Sequence, residues 1–554
     1  MSWRDRPAPI PEEEIAETLE ADVVVVGLGY AGTAALRAAA EEGVSVIGLE
    51  MMKRKQYVSY GRDIGHINSA FLADRGVPAV DPIDLYNEQL RRAGNRVNPS
   101  LIMQFARTCG EAFDWFTDMY GVEGLKDVHV AYWPDGARRF KAHAGEAYNG
   151  YHFWNGTAQF PDPRGWPGHP TLTEVVKANW DKAEALGARL FFGTKALQPV
   201  MDGRRVAGVV AEGPEGTCRK YLARRGVLLS AGDFAGNREM VEDLAVDIPD
   251  ILRPGQKPPA SLGRKGLGHQ IGLWAGGRLE PRPLPVMGGN YPVIRSFTSF
   301  GVLWLDRRGR RFCNETLGGP EFVYQAAAQM PGGTFYSVFD EHVLEDLQWA
   351  VPAHGGFDES NPAAGKALRA MLERAGRSPK GAPEALEEIR KVNFSFVGDN
   401  IYAGGTPEEL AENAALPEPV AEQVALSIRR YNALCRKGRD EDFGKDASLL
   451  RPLEGKLFLV TSEPMKDLGV MLVTVGGFVT DEYQNVLDAD YEPIPGLYAS
   501  GNCCGRRFGP MYTTPIAGVS IGTAMTLGRL AGRNIARAPV GQGPAHFHKN
   551  PLTK

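Results

Sequence analysis

The chain has 554 residues, 43% of them hydrophobic and 23% charged, which are ordinary globular values in a chain too long for one simple core. Its formal net charge of -5, without a long basic run, argues against nucleic acid or an anionic membrane surface as a partner. No stretch approaches the ~18 apolar residues of a membrane span, and the six scattered cysteines form no CxxC pair, so membrane insertion, a disulfide framework and a metal site are all unsignalled. These features lead us to expect a cytoplasmic enzyme acting on a small molecule.

Residues 1–20, Pro-rich and acidic, read as an arm before a first strand, ADVVVVG. That strand leads into Gly27, Gly29 and Gly32, spaced GxGxxG, then an Ala-rich helix and a second strand ending at Glu50. Gly27 permits a tight turn, Gly29 lets the backbone approach a pyrophosphate, and Gly32 lets the helix pack on the strand. The helix N-terminus adds N–H groups and a positive dipole end. Glu50, 18 residues beyond Gly32, is placed to accept hydrogen bonds from ribose hydroxyls, and its charge disfavours a 2′-phosphate. A dinucleotide is implied, with FAD and NAD both open on this motif alone.

Apolar spacing predicts a helix over PSLIMQFARTCGEAFDWFTDMYG. Between Tyr132 and Trp166, nine aromatic residues are interleaved with Gly and Pro without regular period, as in irregular structure lining a pocket. An α/β pattern returns with the helical TLTEVVKANWDKAEALG, the strand-like ARLFFGTKALQPVMD and RRVAGVVAEG, and the buried strand RRGVLLSAG. Residues 286–455 depart from it and predict an inserted domain, after which strands resume and the helix VSIGTAMTLGRLAGRNIARA closes the chain.

The C-terminal stretch IPGLYASGNCCGRRFGPMYTTPIAGVSIGTAMTLGRLAGRNIA resembles the closing signature of the fumarate reductase and 3-ketosteroid dehydrogenase flavoprotein superfamily. TKALQPVMDGRRVAGVVAEG is similar to that family's adenine-side strands, GVLLSAGDFAGNREM to its "AtGGF..N" strand end, and WLDRRGRRFCNET to its cap signature "G.RFvNE". The resemblance implies an α/β fold with a Rossmann-like, glutathione-reductase-type FAD domain over residues 21–285 and 456–545. An α+β capping domain over 286–455 would split it, with an arm over 1–20 and a tail over 546–554. The implied reaction is hydride transfer between flavin N5 and a substrate carbon, coupled to proton transfer at the adjacent carbon, making or removing a C=C activated by a carbonyl or carboxylate. An external electron donor or acceptor is implied, because no second dinucleotide motif follows a strand. Non-covalent FAD is expected, since the "SHT" histidine context of covalent attachment is absent and His66 does not match its position.

By the same resemblance Gly27, Gly29, Tyr30, Ala31, Gly32 and Glu50 would hold the ADP half, with Met51 alongside and the Ala196 backbone near the adenine. Gly232 and Asp233 would lie by the pyrophosphate, and Gly501, Asn502, Ser520 and Ile521 along the ribitol and isoalloxazine. The stretch GRDIGHINS replaces the usual flavin-facing turn and makes Arg62, Asp63 and Ile64 flavin neighbours.

Departures from the family decide the chemistry. Fumarate reductases clamp a dicarboxylate with arginines and histidines. Here the double histidine before "TMGG" becomes MLVTVGG, the arginine of "NRLGGN" falls near Tyr512, and the cap arginine position is Gly319. The ketosteroid branch polarises a ketone with a tyrosine and a backbone N–H in "GR.YPGAG". GPMYTTPIAG keeps Tyr512 and Gly518 with two residues inserted, and that branch's cap tyrosine is replaced by Gly319, with Tyr324 nearby. Tyr151, in the aromatic segment, is a further pocket candidate. The reading is therefore reduction or introduction of a C=C beside a carbonyl in a cyclic, steroid-like or aromatic-flanked ketone. The alternatives are a carboxylate-specific ene-reductase using Arg506 or Arg507 as an anion clamp, and a non-catalytic flavin-binding electron carrier.

Overall fold

The computed structural model describes residues 2–59, 61–130, 144–148, 151–154, 156–160, 171–245, 264–287, 302–315, 335–346, 362–392, 398–445, 447–462, 473–512 and 514–541. Its centre is an eight-stranded sheet whose main path runs Asn485–Leu487, Pro493–Ala499, Cys218–Leu229, Ile15–Val26, Val46–Glu50 and Arg189–Phe192. From Pro493–Ala499 to Arg189–Phe192 every pair on this path is parallel. The run VVVV fits such a position, because a strand covered on both faces buries every side chain, and Val23 to Val26 are all buried. The helix Tyr30–Glu41 connects the first two strands, and Gly528 and Gly532 of the C-terminal helix Val519–Arg537 let that helix lie directly on its backbone at Ala31 and Ala35.

The first strand begins earlier than the sequence predicts. Residues 15–20 are not arm but strand, paired in parallel with Cys218 to Leu222, and Trp3 at the chain's start is buried against Phe234, Met240 and Leu244. The charged residues in IAETLE conceal a strand whose pairing comes from a segment some 200 residues away.

A second, antiparallel sheet has the order Val302–Asp306, Phe335–Asp340, Leu457–Ser462, Asn400–Gly404. Its two faces alternate as strand geometry requires. Val302 and Trp304 pack with Leu368, Met371, Leu386 and Ile389 from helices on one side, while Leu303 and Leu305 pack with Leu410, Val424 and Ile428 on the other. Leu457–Ser462 is paired on both its edges here, so this sheet continues past the expected boundary at residue 455.

Candidate active site

The first crossover builds a phosphate-sized opening. Gly27 has φ +92°, and a Cβ there would stand 2.6 Å from the Ala231 Cα, while one on Gly32 would stand 1.8 Å from the Gly27 carbonyl oxygen. Gly29 differs, since a Cβ there would meet nothing within 4 Å. It is the N-cap of the helix Tyr30–Glu41 and, as a glycine, has no side chain to cap the helix's first turn. Open space in front of uncapped amides is the geometry that receives a pyrophosphate.

Glu50 closes one side of this opening. It is 5% exposed, with Oε2 accepting from the Leu28 N–H and Oε1 from the Met52 N–H, each at 2.9 Å. Two backbone donors fix the carboxylate at the strand tip. Met51, next in the chain, is 52% exposed. Ala196 is buried within the antiparallel pair 195–202 and 205–212. The Tyr30 phenol is pushed above its ordinary pKa, first by burial, and shares a hydrogen bond with Ser59.

Across the opening Gly232 has φ +83°, and the Arg264 side chain lies 3.4–3.6 Å from where its Cβ would be. Asp233 is buried, its Oδ1 accepts from the Ala235 N–H at 2.8 Å, and burial pushes it up to about 6. Arg264 is a cation beside the phosphate-sized opening that the sequence reading missed, because no motif residue marks it.

At the other end Gly501, φ +59°, packs its α-carbon over Ala31. The segment Asp63–Gly65 lies against the start of the C-terminal helix: Gly65 N–H donates to the Gly518 carbonyl at 2.9 Å, and a Cβ on Gly518, φ +77°, would stand 2.5 Å from the Asp63 carbonyl oxygen. Ile521 reaches within 2.8 Å of the Cβ position of Gly61. Asp63 and Gly518 are thus brought together, with Ile521 beside Gly61, whereas the Ile64 side chain turns into the core with Phe71 and Phe113. His66 stacks on Phe113 at 4.0 Å, with Nδ1 3.1 Å from the Ile64 carbonyl and Nε2 2.8 Å from Ser69 Oγ. Burial lowers its pKa to about 3.

Tyr512 is 1% exposed, its ring 4.8 Å from Phe508 in an edge-on contact among Ile67, Phe105, Val475 and Ile516. Its hydroxyl oxygen accepts from the Ser520 N–H at 3.2 Å, which places the phenol at the N-terminus of the C-terminal helix. Tyr151 belongs to the strand Tyr151–Trp154, of which the backbone is described, and Tyr324 lies outside the described residues.

Arg507 does not stand where an anion clamp needs it. Arg507 is 1% exposed and its guanidinium is spent on protein acceptors: Nε on the Cys504 carbonyl at 2.9 Å, Nη1 on Thr523 Oγ1 at 3.2 Å, and Nη2 on the Val475 carbonyl and Asn502 Oδ1, each at 3.0 Å. Arg506, φ +53°, donates its backbone N–H to Glu280. Cys503 and Cys504 are buried thiols pushed up to about 12 and about 11 by desolvation, the first donating to the Gly232 carbonyl at 3.4 Å.

Over residues 22–520 the chain matches the family model described as an FAD binding domain. It is 26% identical over 537 residues to a vinyl phenol reductase of Lactiplantibacillus plantarum, covering 93% of this chain and 96% of that one. It is also 27% identical over 388 residues to the 4-oxocyclohexanecarboxylate 2-dehydrogenase of Sinomonas cyclohexanicum, covering 65% and 58%. The crystal structure of 3-ketosteroid-Δ4-(5α)-dehydrogenase from Rhodococcus jostii RHA1 superposes with a TM-score of 0.67 at 22% identity, covering 94% of this chain and 97% of that one, and so shares the fold. With its uncapped glycine turn and parallel sheet, the chain belongs to the FAD binding domain family and is an FAD-dependent oxidoreductase acting on CH–CH groups.

Proposed function

We propose that this flavoenzyme reduces or introduces a C=C bond beside a carbonyl in a cyclic or aromatic-flanked ketone, with Tyr512 as the neutral hydrogen-bond donor to the carbonyl oxygen. The observation carrying this reading is the Tyr512 hydroxyl held by the Ser520 N–H at the N-terminus of the C-terminal helix. Three basic groups close by are engaged inside the protein: Arg507 by four acceptors, and His66 and His269 by packing that keeps them neutral, at about 3 and about 4. A phenol stabilises developing enolate charge without binding a carboxylate, so the arrangement favours ketones over dicarboxylates. A relative named 4-oxocyclohexanecarboxylate 2-dehydrogenase supports a cyclic ketone, here one that also bears a carboxylate.

FAD supplies hydride chemistry when bound, and the chain's own residues do the rest. Gly29 and the amides after it would receive the pyrophosphate with Gly232 and Asp233, Glu50 the ribose, and Gly501, Asn502, Ser520 and Ile521 the ring system and ribitol. Non-covalent attachment is supported by His66, whose two ring nitrogens face Ile64 and Ser69 inside the core. We assign residues through Ser462 to the capping domain, since that strand completes its sheet. Tyr324 and Tyr151 stay as candidate pocket groups. A small-molecule substrate and an external electron carrier in the cytoplasm complete the reading, supported by six cysteines that are all unpaired.

The vinyl phenol reductase that matches along nearly the whole chain favours a second substrate class, an alkene conjugated to a phenol ring. Anaerobic mixing of photoreduced holoenzyme with a cyclic enone, 4-vinylphenol, fumarate and acrylate separates the classes. Flavin reoxidation fastest with the enone supports the first reading and fastest with 4-vinylphenol the second, whereas fumarate or acrylate in the lead overturns both.

A further inference from the structure

Arg507 is a buried cation with no carboxylate at salt-bridge distance among the described residues, and buried Glu280 acts on it only through space. Its four hydrogen bonds go to two backbone carbonyls, a hydroxyl and an amide oxygen, all neutral. A guanidinium does not lose its proton in a protein, and a charge taken out of water without a partner is costly, so it persists where something else uses it. Two of its acceptors indicate what does. Asn502 follows Gly501, which packs on the first turn of the nucleotide helix, and Thr523 begins the second turn of the C-terminal helix. Arg507 therefore lies behind the seam between two helix N-termini, adding its full charge to their positive ends.

Glu280 offsets that charge from the far side. Its Oε1 accepts from the Gly477 N–H at 3.0 Å and its Oε2 from the Arg506 N–H at 2.8 Å, so it braces the Gly476–Gly477 and Gly505–Arg506 segments without touching the guanidinium. The two groups act on the same seam with opposite sign.

We propose that Arg507 is a positioning residue of the FAD site, which holds Asn502 in one orientation and supplies a buried positive charge favouring reduced over oxidised cofactor, with Glu280 opposing it. Taking up a hydride, two electrons and one proton from substrate or donor, leaves the neutral flavin ring with one negative charge, and that charge is what Arg507 stabilises. The inference rests on FAD occupying this cleft.

The test is the two-electron reduction potential of the holoenzyme, by dye equilibration at about pH 9, where Glu280, pushed up to about 7 by burial, is ionised. Arg507→Met is expected to lower the potential by a tenfold or greater change in the equilibrium, about 30 mV. Arg507→Lys should recover most of that, and Glu280→Gln should shift it the opposite way. Opposite signs cannot come from loosened packing, which both substitutions share. Equal potentials for the Met and Lys variants, or shifts of one sign for Arg507→Met and Glu280→Gln, overturn the proposal. If Arg507→Met does not fold, an unshifted Glu280→Gln overturns it and a raised potential supports it. Wild-type protein that retains no FAD contradicts the cofactor reading instead.

Discussion

Gly29 and Gly32 stand three residues apart and are glycine for different reasons, which a pair of substitutions separates. A methyl on Gly32 collides with the Gly27 carbonyl oxygen, so Gly32→Ala is expected to cost about 3 kcal/mol of stability in urea unfolding. A methyl on Gly29 meets open space, so Gly29→Ala should cost about 1 kcal/mol or less in the apoprotein while weakening FAD binding ~10-fold or more, read by fluorescence titration. Both positions, and Glu50, were legible in the sequence because backbone geometry dictates them at fixed spacing. Arg507 was not. The sequence places it five residues before Tyr512 without saying which way it points, and only the packing of Val475, Asn502 and Thr523 around it turns it inward. Arg264 and Glu280 were invisible for the same reason, as their partners lie far away in the chain.

At the scale of elements the cap signature proves to be an ion network. Arg311 donates through Nε and Nη2 to Glu315, and through Nη1 and Nη2 to Asp440, while the buried Lys445 Nζ reaches Tyr431 at 2.9 Å. These residues tie the loop after the helix Glu418–Lys437 to the second sheet. Arg311→Met takes the guanidinium from two buried carboxylates, leaving Glu315 only the Lys445 ammonium at 3.6 Å, and is expected to destabilise the protein by about 3 kcal/mol in denaturant unfolding. Burial raises the Asp440 pKa, but the Arg311 guanidinium and the Lys445 N–H outweigh it and hold the carboxyl at about 2. Its folded value lies below its unfolded one near 3.9, so its contribution is present above about pH 4 and is lost as the pH falls toward 2. An Asp440→Asn variant should show a shallower fall in stability across that interval in acid titration. The second sheet was legible as an interruption in the α/β pattern, but its end was not, because the sequence around Leu457 looks the same whether the strand pairs in one sheet or the other.

For the whole molecule, two sheets have separate cores. The parallel sheet and the helices on it carry both the glycine turn and the start of the C-terminal helix, and Gly501 against Ala31 joins the two regions; on the proposed reading a motif near residue 30 and a tyrosine at 512 would serve one site. The cofactor end of that site could be read from sequence, since a dinucleotide imposes its spacing on any chain. The substrate end could not, since a ketone asks for one well-placed donor, and many tyrosines compete for the part until packing places them. The most direct measurement is single-turnover reoxidation of reduced flavin by a cyclic enone in wild-type protein and in Tyr512→Phe, with FAD content matched. The account predicts a ~10²-fold or larger loss in the hydride-transfer rate for the variant, with cofactor retained. Equal rates in the two proteins would contradict it and remove Tyr512 from the chemistry.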